Sequence, residues 1–251
     1  MTTSNLLLVN ENVVKEMLKL FDRTEETLLE DVICLKQWMK TQPHLPEILD
    51  ESRIRNFLIF NKCSVEKAKQ KIDMYYTIRS LIPDMYENVN PKRPNMEKLL
   101  DIIYWIPLPQ LTKEMYRVHM FKLRNKDLIE RLEPRDICAH VCNIQEMRLA
   151  EDCMLGDVII IDMDGHTMAY LLKFTPMFVA KVAAIYEKIY SIPMKGMYII
   201  NSHPFVDNLL SLLKAVLKPK LFQRIHVCKD TRILHENFPK EMLPKDYGGE
   251  E

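Results

Sequence analysis

Two carboxylates follow an apolar run in the middle of the chain, and residue types in this order could do chemistry. Val158 to Ile161 run directly into Asp162-Met163-Asp164-Gly165. A buried strand that presents acidic side chains at its carboxyl end is a usual position for catalytic groups in α/β folds. One aspartate could act as a nucleophile, and the pair could hold Mg²⁺. The alternative is a strand that ends in a glycine turn, with Asp162 forming local contacts.

The same stretch resembles the first motif of the haloacid dehalogenase-type phosphatases, in which an apolar strand precedes Asp-x-Asp-Gly and Thr. Those enzymes add a further acidic pair at their fourth strand, because Mg²⁺ needs several oxygen ligands. Here the third buried strand, counted from Val158, ends in Val227-Cys228-Lys229-Asp230, with a lysine where an acid is required. The sequence also has no phosphate-binding glycine loop, nucleophile elbow or HExxH motif. We therefore expect no enzyme and no metal site, and the phosphatase is kept as an alternative.

Composition limits the compartment and the partners. The chain has 251 residues, 47% of them hydrophobic, and its 35 basic and 35 acidic residues cancel. We therefore expect no nucleic-acid partner. The start of the chain lacks the charged region of a signal peptide, and no apolar run approaches the ~18 residues of a membrane span. The six cysteines include no Cys-x-x-Cys pair, so we expect reduced thiols in a cytoplasmic protein.

The pattern of the chain changes at Pro83, Pro91 and Pro94. Before them, helical periodicity predicts helices over 25–39, 54–61 and 64–82. After them, predicted strands (116–123, 158–162, 197–201 and 225–227) alternate with predicted helices (134–155, 174–190, 206–217 and 236–243). Strands that alternate with helices imply a mostly parallel sheet, so the fold class is α/β behind an N-terminal helical bundle.

A second notable segment, residues 206–229, reads VDNLLSLLKAVLKPKLFQRIHVCK and has no acid between Asn208 and Lys229. A basic and very apolar helix is typical of a segment that lies at a lipid interface. The alternative is a buried core helix whose lysines extend to solvent at its end.

The order of these motifs resembles the CRAL-TRIO lipid-binding family over residues 25 to 249. The resemblance rests on "GDVIIIDMDGHTMAYLLKFTP", on the segment that begins "YSIPMKGMYIIN" and on "LPKDYGGE". It implies a helical bundle packed on an α/β domain whose mostly parallel sheet floors a hydrophobic cavity. The implied organisation is an N-terminal extension over 1–24, a CRAL-TRIO N-terminal helical domain over 25–90 and the lipid-binding domain over 91–251.

The resemblance also implies a function. It is the cytosolic binding and intermembrane transfer of a small hydrophobic lipid, such as a retinoid, a tocopherol-like molecule or another isoprenoid. The lipid would bind non-covalently with no other cofactor, and a lid helix would open at an anionic membrane surface, assisted by phosphoinositides. We expect a monomer that is cytoplasmic and peripherally membrane-associated. The alternative within the family is a phospholipid or phosphoinositide exchange protein.

Two sets of site residues follow from the resemblance. The lipid cavity would be lined by Cys138, Val141, Ile159, Ile161, Phe174, Ile185, Tyr186, Tyr190, Ile192, Met194, Met197, Leu209, Leu213 and Val216. A basic cleft for phosphoinositide headgroups would retain Lys195 and Lys214, with Lys62, Lys218 and Lys220 as further candidates. Three positions depart from the basic pattern of the cleft, namely Ile59, Asn61 and Pro193.

Overall fold

The computed structural model describes Leu7 and residues 11–46, 48–85, 90–190 and 192–251. Most of the first ten residues of the predicted extension therefore lie outside the described residues. The same is true of residues 86–89, next to the predicted domain boundary at residue 90.

The N-terminal half is helical, as the periodicity predicts. Its helices are α1 (Glu11–Lys19), α2 (Glu25–Lys40), α3 (Glu51–Phe60) and α4 (Val65–Leu81). Thr24 begins α2 with a capping box, and Asp50 begins α3 by accepting a hydrogen bond from the backbone N–H of Arg53. Helix α1 lies in the predicted extension, yet its Met17 and Leu18 are fully buried in the core that α2–α4 build.

The second half contains five strands and the remaining helices. The strands are β1 (Ile103–Leu111), β2 (Tyr116–Leu123), β3 (Gly156–Asp162), β4 (Met194–Ile200) and β5 (Ile225–Val227). The helices are α5 (Pro94–Ile102), α6 (Pro134–Glu151), α7 (Met168–Leu171), α8 (Pro176–Ala184), α9 (Val206–Val216), α10 (Pro219–Phe222) and α11 (Arg232–Asn237). The sheet order is β1-β2-β3-β4-β5, with β1 antiparallel to β2 and the other pairs parallel. The predicted α/β class is confirmed.

Several features differ from the sequence-based expectation: helix α5 was not predicted, and the helix predicted over 236–243 lies at Arg232–Asn237. Strand β1 was not predicted, because it follows α5 without a break and contains Pro107 and Pro109, which an edge strand tolerates. The helix predicted over 174–190 is interrupted, because α8 gives way to a π-helical turn over Ile185–Tyr190. Such turns are often found at functional sites, since they change the direction in which side chains point.

The two faces of the sheet are covered by different parts of the chain. Val158 and Ile160 of β3 point to one face, where they pack with Leu234, Phe238 and other residues of the C-terminal segment. Asp157, Ile159 and Ile161 point to the other face, which α6, α8 and α9 cover. The second face carries the candidate site, and it is called the cavity face below.

A buried ion-pair network fills the cavity face at the beginning of the parallel strands. Asp152 accepts charged hydrogen bonds from Arg117 (2.5 Å) and Arg148 (2.9 Å), and Arg148 also donates to Asp157 at 2.6 and 2.9 Å. Arg117 and Arg148 are fully buried. Burial alone would raise the pKa of Asp157, but the positive charge of Arg148 holds that pKa well below its usual value. The ion pairs of the network therefore join β2, α6 and β3.

Polar contacts also join the helical half to the α/β half. Asn56 of α3 donates to the backbone carbonyls of Leu149 (2.9 Å) and Asp152 (2.7 Å) at the end of α6. Glu146 of α6 accepts hydrogen bonds from Tyr75 of α4 (2.7 Å) and from Tyr190 (2.9 Å). Because these partners come from α3, α4 and the π-helical turn, the N-terminal helices fix the position of one wall of the candidate site.

We expect Arg148→Met to lower the free energy of unfolding by about 3–5 kcal/mol, because it leaves the buried Asp157 without its charged partner. Urea unfolding at neutral pH measures this effect. The control is Lys36→Met, which breaks an exposed ion pair with Glu51 (3.0 Å) and should cost less than about 1 kcal/mol. Equal unfolding midpoints for the two variants would contradict the assigned role of the network.

Candidate functional site

An apolar cavity of about 230 Å³ lies between the cavity face of the sheet and helices α6–α9. Its floor comes from the carboxyl-terminal halves of the parallel strands, with Ile161 of β3 beside Ile199 of β4. Helix α6 contributes one wall and α7, α8 and the π-helical turn another, while Leu209 and Leu213 of α9 close the side.

Ten of the fourteen residues proposed for the cavity lie in its wall. They are Cys138, Val141, Ile161, Phe174, Ile185, Tyr186, Tyr190, Met197, Leu209 and Leu213. Leu209 and Leu213 are four residues apart on α9 and therefore share one face of that helix.

The other four residues lie outside the wall. Ile159 is on the cavity face but lies two residues before Ile161, nearer the start of β3. Asp157 and its ion-pair partners occupy the cavity face at the start of that strand. Ile192 is buried in the core of the helical half. Met194 is the first residue of β4, at the opposite end of the strand from the cavity. Val216 ends α9, in the turn after Leu213.

Thirteen wall residues were missed by the sequence analysis, and five of them carry aromatic rings. Trp105 and Phe121 are cross-strand partners on β1 and β2, so Trp105 could not be placed without recognising β1. His166 and Tyr170 follow the Asp-x-Asp-Gly turn, and Phe178 lies on α8. The spacing of Tyr170, Phe174 and Phe178 by four residues is the sequence signal that was available.

The wall is uncharged at neutral pH. None of the described residues that line it is a lysine, arginine, aspartate or glutamate. Burial lowers the pKa of His166 to about 4, so its imidazole is neutral. A hydrogen bond with Cys142 and burial together raise the pKa of Cys138 well above its usual value, so its thiol stays protonated. The cavity therefore suits a neutral ligand.

The Asp-x-Asp-Gly turn lies at the end of β3, but its carboxylates are engaged in structural contacts. Asp162 is 4% exposed and accepts hydrogen bonds from the hydroxyl of Tyr247 (2.6 Å), the amide of Asn201 (2.8 Å) and the backbone N–H of Asp164 (2.9 Å). Asp164 forms an exposed ion pair with Lys126 at 2.6 Å. Among the described residues, no group of three or more acidic, histidine or cysteine side chains could hold a metal ion. The turn therefore ties the ends of β3 and β4 to the C-terminal segment.

Helix α9 covers the cavity only loosely. Among its residues only Val206 is fully buried, and the other apolar side chains that contact the protein remain half-buried. Just after the helix, Lys218 forms an ion pair of 2.5 Å with Glu187 of the π-helical turn. This contact links the segment that follows α9 to the cavity wall.

The candidate phosphoinositide lysines are partly brought together. The pKa of Lys195 is lowered, first by partial burial and then by the positive charges of Arg224, Lys62 and Lys220, so each of these three cations lies within electrostatic range of Lys195. Arg224 was not among the predicted residues. Lys218 is instead paired with Glu187, and Lys214 is an exposed residue of α9.

Sequence comparisons identify the class to which this arrangement belongs. A sequence model of the CRAL/TRIO domain matches residues 104–249, and a Pinta-like UBA domain model matches residues 24–96. The chain therefore belongs to the CRAL/TRIO family, whose members bind and transfer lipids, and the resemblance seen in the sequence is confirmed.

Particular relatives are similar over nearly the whole chain. An alpha-tocopherol transfer protein-like protein of Mus musculus is 25% identical over 246 residues, which are 96% of this chain and 71% of the relative. Clavesin-1 of Pongo abelii is 24% identical and covers 95% of this chain and 68% of its own length. The crystal structure of Sfh5 matches with a TM-score of 0.48 and 13% identity, over 97% of this chain and 89% of the Sfh5 chain. No helix in the described part of the chain is both long and apolar enough to cross a membrane.

The neutral His166 gives a pH-dependent prediction. In the unfolded chain its pKa is near 6.5, whereas in the folded protein it is about 4. Below pH 6.5 the unfolded state binds a proton that the folded state does not, so the free energy of unfolding falls as the pH falls. Between pH 7 and 5 this residue should contribute a loss of about 2 kcal/mol.

Urea unfolding at pH 7 and pH 5 measures this loss. Between these pH values, the free energy of unfolding of His166→Phe should fall by about 2 kcal/mol less than that of the wild type. His119 and His140 also have pKa values lowered by burial, so the comparison of the two proteins isolates His166. Identical pH dependence in the variant and the wild type would show that His166 is not held neutral.

Proposed function

We propose that this protein binds one small neutral lipid non-covalently in the apolar cavity and transfers it between membranes without catalysis. The ligand class is a retinoid, a tocopherol-like molecule or another isoprenoid. The observation that carries the proposal is the uncharged, largely aromatic and aliphatic wall between the sheet and α6–α9. Family membership supports the general activity, and the chemistry of the wall supports the choice of ligand class.

Burial of the ligand supplies the affinity. Each Å² of apolar surface removed from water contributes roughly 25 cal/mol, so a hydrocarbon chain needs no covalent bond to be held. The cavity volume of about 230 Å³ lies just below the range of roughly 300–1,000 Å³ typical of small-molecule sites. A ligand that needs a cavity in that range of volumes therefore requires wall side chains that can move or an outward shift of α9. Met163 and Met197 line the cavity and have flexible side chains that can repack.

The same wall disfavours a phospholipid as the ligand. A phosphodiester buried away from water requires charged or hydrogen-bonding partners, and arginine or lysine commonly provides them. The described wall residues include neither of these. Arg117 and Arg148, the nearby buried cations on the cavity face, are already paired with Asp152 and Asp157. The wall therefore favours a carrier of a neutral lipid over a phospholipid or phosphoinositide exchange protein.

Release of the lipid is proposed to occur at an anionic membrane surface when α9 moves. Exposed apolar side chains lie near this helix: Met168 is 37% exposed and its sulfur accepts a contact of 3.8 Å from Asn208 of α9. Leu172 and Met177, at the end of α7 and the start of α8, are about 70% exposed. Such residues can enter the membrane interface, and the cluster of Lys195, Lys62, Lys220 and Arg224 can bind anionic headgroups such as phosphoinositides. This would make the protein cytoplasmic and peripherally membrane-associated, and nothing in the proposal requires more than a monomer.

Filling the cavity tests lipid binding. Val182 lines the cavity from α8, and Val182→Trp should displace the ligand while costing about 1–3 kcal/mol of stability through overpacking. Organic extraction and native mass spectrometry of protein purified from its own tissue should detect one bound lipid in the wild type and little in the variant. The control is Val227→Trp, at an exposed position of β5. Absence of lipid from the folded wild type would contradict the proposed function.

Removing one cleft charge tests membrane docking. Lys220→Ala should weaken binding to phosphatidylcholine vesicles that contain phosphatidylinositol bisphosphate about fivefold, since one charge near an anionic surface contributes about 1 kcal/mol. Vesicle co-sedimentation at two salt concentrations measures the effect, which salt should reduce. Lys98→Ala, at an exposed position on α5, is the matched control. Equal losses in the two variants would contradict a localised headgroup site.

A further inference from the structure

One side of the cavity is a continuous row of rings. Neighbouring ring centroids are separated by 5.6, 5.6, 5.7, 5.4 and 6.0 Å along the row, which is the range in which aromatic pairs attract one another. In order, the rings belong to Trp105, Phe121, His166, Tyr170, Phe174 and Phe178, and all of them line the cavity. This feature is called the ring row below.

Three polar atoms of the ring row are buried without a hydrogen-bond partner in the described part of the chain. They are the indole Nε1 of Trp105, the Nδ1 of His166 and the hydroxyl of Tyr170. Tyr170 is 2% exposed and His166 is 6% exposed. Unsatisfied buried polar groups are rare in native proteins because each one costs stability. Three of them along one wall of a cavity therefore require an explanation.

The other tyrosines of the cavity show that the polar groups of its wall can be satisfied. The Tyr190 hydroxyl donates to Glu146 at 2.9 Å, and the Tyr186 hydroxyl lies 3.5 Å from the amide of Gln145. Both partners belong to α6. Among the described residues of the cavity wall, the unpartnered atoms are thus confined to the ring row.

We infer that the ring row binds the head of the ligand, and that this head is a neutral, planar or unsaturated group carrying one hydroxyl or carbonyl oxygen. The inference rests on the proposed function and specifies its ligand. The oxygen would accept a hydrogen bond from Trp105 or Tyr170, and a hydroxyl could in turn donate to His166 or Tyr170.

The chemistry of the three atoms limits the head group. An indole N–H only donates, and a phenol or a neutral imidazole can both donate and accept. An acceptor oxygen on the ligand is therefore required, and an anionic one is disfavoured because the wall supplies no cation. The flat rings favour a flat partner, since offset stacked and edge-on contacts between π-systems are attractive. An aliphatic tail would then lie along Val141, Val182 and Ile185.

The decisive variant is Tyr170→Phe, which removes only the unpartnered hydroxyl. Retinol and its deoxy hydrocarbon axerophthene would be competed at equal concentration for the full-length protein. Geranylgeraniol and its deoxy hydrocarbon form a second pair. Because each pair differs by one oxygen atom, native mass spectrometry reports the ratio of the two bound species directly.

The wild type should prefer the alcohol of a pair, and Tyr170→Phe should reduce this preference about fivefold to tenfold. The ligand-free variant should unfold at the same temperature as the wild type or higher, since the lost hydroxyl had no partner. Tyr198→Phe is the control, because that hydroxyl lies on the other face of the sheet, 3.3 Å from Asn237. It should leave the preference unchanged.

Two contrary outcomes are distinguishable. If hydrocarbons and alcohols bind equally well to both proteins, the head-group assignment is overturned and the proposed lipid binding stands. If no member of either pair binds to the folded wild type, the proposed function fails and the inference fails with it. A lower unfolding temperature for ligand-free Tyr170→Phe would also overturn the assignment, because it would show that the hydroxyl has a structural partner.

Discussion

Two arginines and two aspartates buried on one face of the sheet are the constraint on which the rest of the site depends. Arg117 and Arg148 are each held by Asp152, and Arg148 by Asp157 as well, so every charge in the group faces an opposite one. An unpaired charge at this depth would destabilise the fold by several kcal/mol, which fixes β2, α6 and β3 relative to one another. Helix α6 is in turn fixed to the N-terminal helices through Asn56 and Glu146.

The ion-pair network holds its surroundings in place, so that the neighbouring apolar region can contain an unfilled cavity. Protein interiors are normally packed without large voids, and an empty volume costs stability in proportion to its size. A cavity of about 230 Å³ persists here because its walls are positioned by contacts outside it. The network supports the strand side, and Tyr190 and Tyr75 bound to Glu146 support the helical side. Helix α9 has no such buried polar anchor among its described residues, and the proposed release therefore assigns the movement to this helix.

The sequence predicted the parts of this arrangement that repeat a simple pattern. Strands such as Tyr116–Leu123 and Ile225–Val227 have the predicted bounds, because a short apolar or alternating run has few other conformations. Leu209 and Leu213 lie in the cavity wall because helical spacing places them on one face. The predictions that were missing or wrong concern features that depend on tertiary structure. Strand β1 contains two prolines, and Ile159 lies on β3 between the ion-pair network at Asp157 and the cavity floor at Ile161, a position that no local pattern reveals.

The Asp-x-Asp-Gly turn shows how a motif can predict the local structure while its buried carboxylate forms structural contacts. Asp162 does end a buried strand at the carboxyl edge of the sheet, but Tyr247, Asn201 and a backbone N–H take up both of its oxygens. A nucleophilic carboxylate needs a free oxygen facing a substrate, and this one is used to close the end of the sheet. The turn then directs His166 and Tyr170 into the cavity. Its carboxylates form structural contacts, and two of the three unpartnered polar atoms of the ring row belong to His166 and Tyr170, which follow the turn.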